Sequence, residues 1–197
     1  MTNSNSPGHA KAGSLTHDLD EAGRPHAPPI PGATDLHRRQ GRHLAAIHRM
    51  HLRDIAEISG LVARIDSDTS APGQLVDKVQ ALAVTRNIRT FGTLCGGECN
   101  RLLFHHDAEE QHVFPILEQR GSDGLRAVVA KLRQEHEVIH TLLEQLAIGA
   151  RRVLSEPDAS AYGDLRATFT ALETALRSHF HYEETELEEA LGVHDAL

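Results

Sequence analysis

Residues 101–118 read RLLFHHDAEEQHVFPILE, and this stretch sets histidines and glutamates at a helical spacing within an apolar pattern. His105 precedes Glu109 by four residues, and His106 precedes Glu110 by the same interval. On an α-helix, side chains four residues apart lie on one face, about one turn apart. One helix can therefore offer an imidazole and a carboxylate to the same ion.

Two segments further along the chain repeat this chemistry. Residues 133–146 read RQEHEVIHTLLEQL and place His136 and His140 four residues apart. Residues 177–191 read RSHFHYEETELEEAL and place Glu183 four residues after His179. At least three helices thus supply side chains that can bind a metal.

The periodicity of the apolar residues predicts four helices and no strand. Thr34 or Asp35 can cap the first helix, which carries His48 and His51 on its apolar face. Glycines within the second helix predict a bend or break between residues 87 and 97. The predicted helices cover about residues 34–66, 74–119, 125–154 and 161–191. Long helices joined by short turns predict an all-α, up-down-up-down four-helix bundle over residues 34–193.

The N-terminal residues 1–33 differ in composition from the predicted bundle. They are rich in Ser, Asn, Gly, Pro and His and end in RPHAPPIPGA. So few apolar side chains do not offset the entropy lost on ordering a chain. We therefore expect a flexible tail.

Counting residues from shared turns tests whether the candidate ligands meet. His105 lies 16 residues before Gly121, and His136 lies 15 residues after it, so the two reach the same height. His179 and His136 are also level when counted from the turn between the third and fourth helices. Counted from residue 34, His48 reaches the same height. Counted through the turn near residue 71, His48 and His105 are not level, so the second helix must be interrupted for them to meet. Glu109 and Glu183 are expected one turn away from this layer of histidines.

Composition limits the classes of function. The chain has 197 residues and a formal net charge of -8, which opposes binding to nucleic acid or to an acidic membrane. The N-terminus has no signal-peptide pattern, and no apolar run reaches membrane-spanning length. Two cysteines, Cys95 and Cys99, are too few for a disulfide framework and fit a reducing compartment. They could form a redox pair or bind a soft metal, but we expect them to pack as small apolar side chains. These features predict a cytoplasmic protein with no nucleic-acid or membrane partner.

Taken together, the motifs H…HHxxEExxxFP…EHxxxH…HFxxEE resemble the hemerythrin-like, or HHE cation-binding, domain over about residues 35–191. The resemblance implies two non-heme iron ions, bridged by two glutamates and an oxo or hydroxo group. It also implies a small diatomic ligand or peroxide as the binding partner, and it specifies no protein partner. Carried over residue by residue, the implied metal ligands are His48, His105, Glu109, His136, His140, His179 and Glu183.

Several alternatives stay open at the level of sequence. His51 competes with His48 on the first helix, His106 with Glu110 forms an alternative ligand pair on the second, and Glu184 competes with Glu183 on the fourth. Some members of the family use one histidine on the third helix, which leaves the role of His140 open. The simplest interpretation of the other nearby polar residues is a place in solvent or around the ligands, and this set comprises His106, Glu110, His112 and His181.

Three functions are compatible with these ligands. The first is reversible binding or sensing of O2, NO or peroxide. The second is an enzyme that consumes peroxide or reduces NO, with His51, His106 or Tyr182 relaying protons. The third and weakest is iron storage or a structural metal. A bundle of this type does not by itself determine which reaction it supports.

Overall fold

The computed structural model describes Leu19 and residues 21–67, 86–87, 89–90, 92–156 and 158–197. Within these residues all regular structure is helical, which confirms the predicted all-α fold. None of the described helices is both long enough and apolar enough to cross a bilayer. A π-helical turn over Glu109–Val113 joins the third helix to the fourth. The helices are α1 (Asp35–Gly41), α2 (His43–Ser67), α3 (Gly97–Ala108), α4 (Phe114–Arg120), α5 (Asp123–Ser155) and α6 (Ala159–Val193).

Side-chain caps explain where three of these helices begin. The side chains of Thr34, Ser122 and Asp158 each accept a hydrogen bond from a backbone N–H in the first turn of α1, α5 and α6. Such caps satisfy donors that a helix N-terminus leaves without a partner. The observed starts and ends of α5 and α6 lie within two residues of the predicted ones.

The first predicted helix is divided into α1 and α2, with the change of direction at Arg42. α1 packs closely against the C-terminal part of α6. A Cβ atom added at Gly41 would overlap the backbone carbonyl of Glu188, and one added at Gly192 would overlap the carbonyl of His37. Glycine is required at both positions because the two backbones approach each other there.

The predicted break in the second helix is confirmed at residues 92–96, which form bends and turns ahead of α3. Gly92 and Gly96 adopt φ angles of 71° and 57°, a region that favours glycine. The predicted start of this helix near residue 74 lies outside the described residues. The π-helical turn directly precedes Pro115, which has no N–H to donate to the preceding turn.

Two buried apolar clusters occupy the two ends of the bundle, and the long helices cross both. Along α2, Leu44 belongs to one cluster and Ile55 to the other, with His48 between them. Along α5, Leu132 and Ile139 flank His136 in the same way. The order in which the clusters are met reverses from each long helix to the next, as an up-down-up-down bundle requires. A layer of histidines and glutamates separates the two clusters.

Residues 21–33, here called the strap, lie against the bundle. Arg24 is only 8 % exposed, and the backbone N–H groups of Ala27 and Ile30 donate to carboxylates of α6. This contact differs from the flexible tail predicted through residue 33. The composition shows only that the strap has few apolar side chains. Its position is fixed by hydrogen bonds to carboxylates of the folded bundle, which composition does not reveal. Residues 1–18 and Asp20 of the predicted tail lie outside the described residues.

Cys95 and Cys99 are buried among apolar side chains, each 3 % exposed, as the sequence suggested. Their sulfur atoms are joined in a disulfide, which differs from the separate thiols that were expected. The two Cα atoms lie 5.7 Å apart, with Cys95 in the turn that precedes α3 and Cys99 in the first turn of α3.

Candidate metal centre

The candidate ligands converge in two adjacent groups within the polar layer. Within each group, one potential ligand atom from each residue lies within 4.8 Å of the others. All the residues are buried except His105, whose side chain is 8 % exposed. The first group consists of His48, His105, Glu109 and Glu183, and the second of His106, His136 and His179.

The two glutamates connect the groups. Glu109 places Oε1 3.3 Å from Nε2 of His105 and Oε2 3.5 Å from Nε2 of His136. Glu183 places Oε2 3.3 Å from Nε2 of His48 and 3.7 Å from Nε2 of His179. Each carboxylate therefore faces one histidine from each group, which is the position of a ligand shared between two cations.

Unpartnered polar atoms mark the same layer. Among the described residues, every buried side-chain nitrogen or oxygen that lacks a hydrogen-bond partner belongs to these two groups. Leaving such an atom unpartnered costs about 1–3 kcal/mol, so a cluster of them is unfavourable unless a cation is bound. The atoms are Nε2 of His106, His136 and His179 and both carboxylate oxygens of Glu109 and Glu183. Metal ions would satisfy all of them together.

In three histidines of the two groups, Nε2 faces the layer and Nδ1 lies next to a carboxylate on its outer side. Because an ionised carboxylate only accepts, Nδ1 carries the proton and Nε2 keeps its lone pair directed into the layer. Glu184 and Glu110 thus orient histidines instead of joining either group. The pairs, with their Nδ1-to-oxygen distances, are His48–Glu184 at 3.0 Å, His136–Glu110 at 2.9 Å and His179–Glu135 at 3.2 Å.

His106 and His140 exchange the roles that the sequence suggested. His106 is fully buried with Nε2 in the second group, whereas the structure does not bring His140 into either group. Nε2 of His140 lies 3.1 Å from Nδ1 of His106, one turn along α5 from His136. A signal for His106 was present, since it follows Leu102 by four residues and precedes Val113 by seven on the apolar face. By contrast, His112 and His181 are exposed, as expected.

His51 is buried beside the first group without belonging to it. Its ring lies parallel to that of His105, with centroids 5.2 Å apart. Its Nδ1 contacts the carboxylate of Glu98, which is itself buried and accepts from Arg101 at 2.9 Å. His48 is therefore the histidine of α2 that faces the ligand layer.

Two buried carboxylates with a structural role were not identified from the sequence. These are Glu98, beside His51, and Glu135, which is 0 % exposed beside His179. Glu135 lies three residues after Leu132 and four before Ile139 on the interior face of α5. A charged residue in an apolar stripe was the available signal.

Burial sets the protonation of the layer. It lowers the pKa values of His105 and His136 to about 3 and holds the pKa of His106 well below its usual range. These imidazoles are neutral near pH 7 and available as ligands. Burial and the charge of Glu183 raise the pKa of Glu109 well above normal. Although burial alone would raise the pKa of Glu183, its histidine neighbours lower it to about 2, so the pair holds one proton without a cation.

Comparison with known families agrees with this geometry. The model of the family described as "Hemerythrin HHE cation binding domain" matches residues 41–191, a range that includes both groups and all their orienting partners on α5 and α6. No match was found among curated proteins or among solved structures. The match covers well over half of the chain and confirms the resemblance seen in the motifs. The chain belongs to the hemerythrin HHE cation-binding family and is a metal-binding helical bundle.

Proposed function

We propose that this protein is a non-heme di-iron protein that binds or senses O2, NO or peroxide. The observation that carries the proposal is the coincidence of the unpartnered buried atoms with the two ligand groups. Imidazole and carboxylate donors suit iron, and two carboxylates placed between the groups suit a pair of ions. When bound, the iron pair supplies reversible electron transfer and an exchangeable position for a small ligand.

The residues assigned to the iron pair follow from the distances. His48 and His105 would hold one ion, and the three histidines of the second group would hold the other. Glu109 and Glu183 would be shared, because each faces a histidine from both groups. The bundle presents these donors from α2, from α3 with its π-helical continuation, from α5 and from α6.

Aromatic side chains close the layer to water and restrict the size of a ligand. The ring of Phe180 stacks on His48 with centroids 4.0 Å apart, and Phe114 stacks on His136 at 5.4 Å. Both phenylalanines are almost completely buried. The burial of the layer behind these rings favours a diatomic molecule or peroxide over a larger substrate.

Titration of the reduced, iron-loaded protein with NO or O2 tests binding. We expect a saturable change in the visible spectrum that reverses when the gas is removed. Glu109→Ala is expected to abolish the change, whereas Glu57→Ala, at an exposed position of α2, is expected to retain it. Autoxidation in one cycle without a spectral adduct would contradict the proposal and favour a structural or storage role.

A second candidate is an enzyme that consumes peroxide or reduces NO. It is favoured by the buried chain of contacts from His51 through Glu98 to Arg101, whose side chain is 51 % exposed. These contacts run from beside the first group toward the surface, and His51 and Glu98 are groups that can carry protons. Under this hypothesis His51→Gln lowers turnover without lowering iron content. Turnover of peroxide and NO no faster than that of free iron would rule the enzyme out.

A further inference from the structure

The strap reaches the metal centre through one buried side chain. Arg24 donates from Nε to Oε1 of Glu135 at 2.9 Å and from Nη2 to Oε2 at 3.0 Å. The arginine is 8 % exposed and the glutamate 0 %. This two-pronged, buried pair is the strong and directional form of an arginine–carboxylate interaction. Arg24 precedes residue 41, where the match to the family begins.

The same carboxylate touches the second ligand group. Oε2 of Glu135 lies 3.2 Å from Nδ1 of His179, whose Nε2 faces the layer without a partner. Two consecutive contacts therefore run from Arg24 of the strap, through Glu135, to His179, whose Nε2 is assigned to iron. Lys131 also lies 3.8 Å from Oε1 of Glu135, but a single ammonium at that distance supplies charge without fixing the plane of the carboxylate.

Contacts with α6 also hold Arg24 in place. Nη1 of Arg24 donates to the backbone carbonyl of Ser178 at 3.3 Å, and the guanidinium lies 4.6 Å from the centre of the Tyr182 ring. The hydroxyl of Tyr182 in turn donates to the carbonyl of Pro25 at 2.7 Å. Arg24 thus contacts the turn of α6 that carries His179.

From these contacts we infer that Arg24 is a positioning residue of the metal centre, which fixes the His179 ring through Glu135. The strap is then part of the site. The effect of Arg24 on iron retention rests on the proposed function, whereas its effect on the His179 ring does not. Without Arg24, the carboxylate of Glu135 loses the donor that fixes its plane, and its hold on Nδ1 of His179, which directs Nε2 inward, weakens. Loss of such an outer partner typically weakens metal retention about 10–100-fold.

Nitrogen-15 NMR of the histidine rings in the metal-free protein tests the positioning directly. We expect wild-type His179 to carry its proton on Nδ1 and to lose that single form in Arg24→Ala. The signals of His48, whose Nδ1 faces Glu184 on the other side of the layer, are expected to stay unchanged. Unchanged His179 signals in Arg24→Ala would overturn the inference. Because no metal is needed, this result stands even if the protein proves not to bind iron.

Release of iron to a chelator tests the consequence. Arg24→Ala is expected to release iron on the order of 10–100 times faster than wild type, with Arg24→Lys in between. The matched control is Arg38→Ala, which removes a different arginine that pairs with Glu189 of α6 away from the layer. In a Glu135→Gln background, Arg24→Ala should add little, since both act through one carboxylate. Equal acceleration by Arg24→Ala and Arg38→Ala would mean general destabilisation and would overturn the inference.

Discussion

The orientation of each inward-facing imidazole depends on the partner of its other nitrogen. Glutamates occupy that position beside His48, His136 and His179, and His140 occupies it beside His106. These partners keep Nε2 lone pairs directed at the layer before any ion arrives. The cost of ordering the donors is therefore met by folding, which favours tight binding.

Substitutions of His106 and His140 distinguish a metal ligand from a residue that only orients one. His106→Ala removes a donor of the second group, and we expect metal content to fall to about one ion per chain or less. His140→Ala removes only the partner of His106, so two ions should bind but dissociate about 10-fold faster. His112→Ala, at an exposed position two residues before Phe114, serves as the control and should change nothing. Metal analysis of the three variants checks this, and unchanged stoichiometry in His106→Ala would contradict the assignment.

Metal loading is expected to release protons. In the metal-free protein, burial and the charge of Glu183 raise the pKa of Glu109 and so favour its protonated form, whereas a metal ligand must be ionised. Binding therefore displaces a proton, and affinity rises as the pH increases toward that pKa. Calorimetry in buffers of different ionisation enthalpy measures the number released. A Glu109→Gln variant should release about one proton fewer, and identical heats in all buffers would contradict the expectation.

The limits of sequence reasoning show most clearly at single residues. Helical spacing and residue counts placed His48, Glu109 and Glu183 near one layer, where the structure has them, because both depend only on the regular rise of a helix. The choice between His106 and His140 stayed open, since two helices share the space between them and the nearer side chain is decided by packing. Nothing in the composition of the strap indicated Arg24, because its burial depends on a carboxylate more than a hundred residues away.

At the level of elements, the close contact between α1 and α6 fixes the end of the bundle. Gly41→Ala inserts a Cβ against the carbonyl of Glu188, and we expect a loss of about 1–3 kcal/mol in the free energy of unfolding. Gly60→Ala on α2 has no atom within 4 Å of the new Cβ and should gain about 0.5–1 kcal/mol from helix propensity. Thermal unfolding of the two variants compares them. Equal Tm values would mean that the two backbones are not in contact.

Apolar periodicity predicted the starts of α5 and α6 to within two residues, and the caps observed at Ser122 and Asp158 account for where they begin. The π-helical turn that begins at Glu109 was not predicted from the sequence, although such turns often occur at functional sites. A local pattern of glycine and proline shows that a helix must be interrupted. It does not show how the hydrogen bonds rearrange, because the layer of ligands also constrains that turn.

For the whole molecule, the polar layer between two apolar clusters makes metal binding and stability interdependent. An ion bound only by the folded state stabilises it by about 2.7 kcal/mol at a free concentration 100 times Kd. For a chain of this size that corresponds to a rise in Tm of roughly 5–10 °C. Differential scanning calorimetry with and without iron measures the rise.

A matched variant isolates the contribution of the layer. His106→Leu replaces an unpartnered buried nitrogen with an apolar side chain, so the metal-free protein should be as stable as wild type or more so. The rise in Tm on adding iron should become smaller. A rise as large as that of wild type would show that the stabilising ion binds elsewhere.

The central claim is that the layer holds two metal ions between the histidines and the two glutamates. An anomalous difference map at the iron absorption edge, from crystals of the iron-loaded protein, tests it most directly. The account predicts two peaks, one among His48, His105, Glu109 and Glu183 and the other beside His106, His136 and His179. A single peak, or strong peaks only outside this layer, would contradict it.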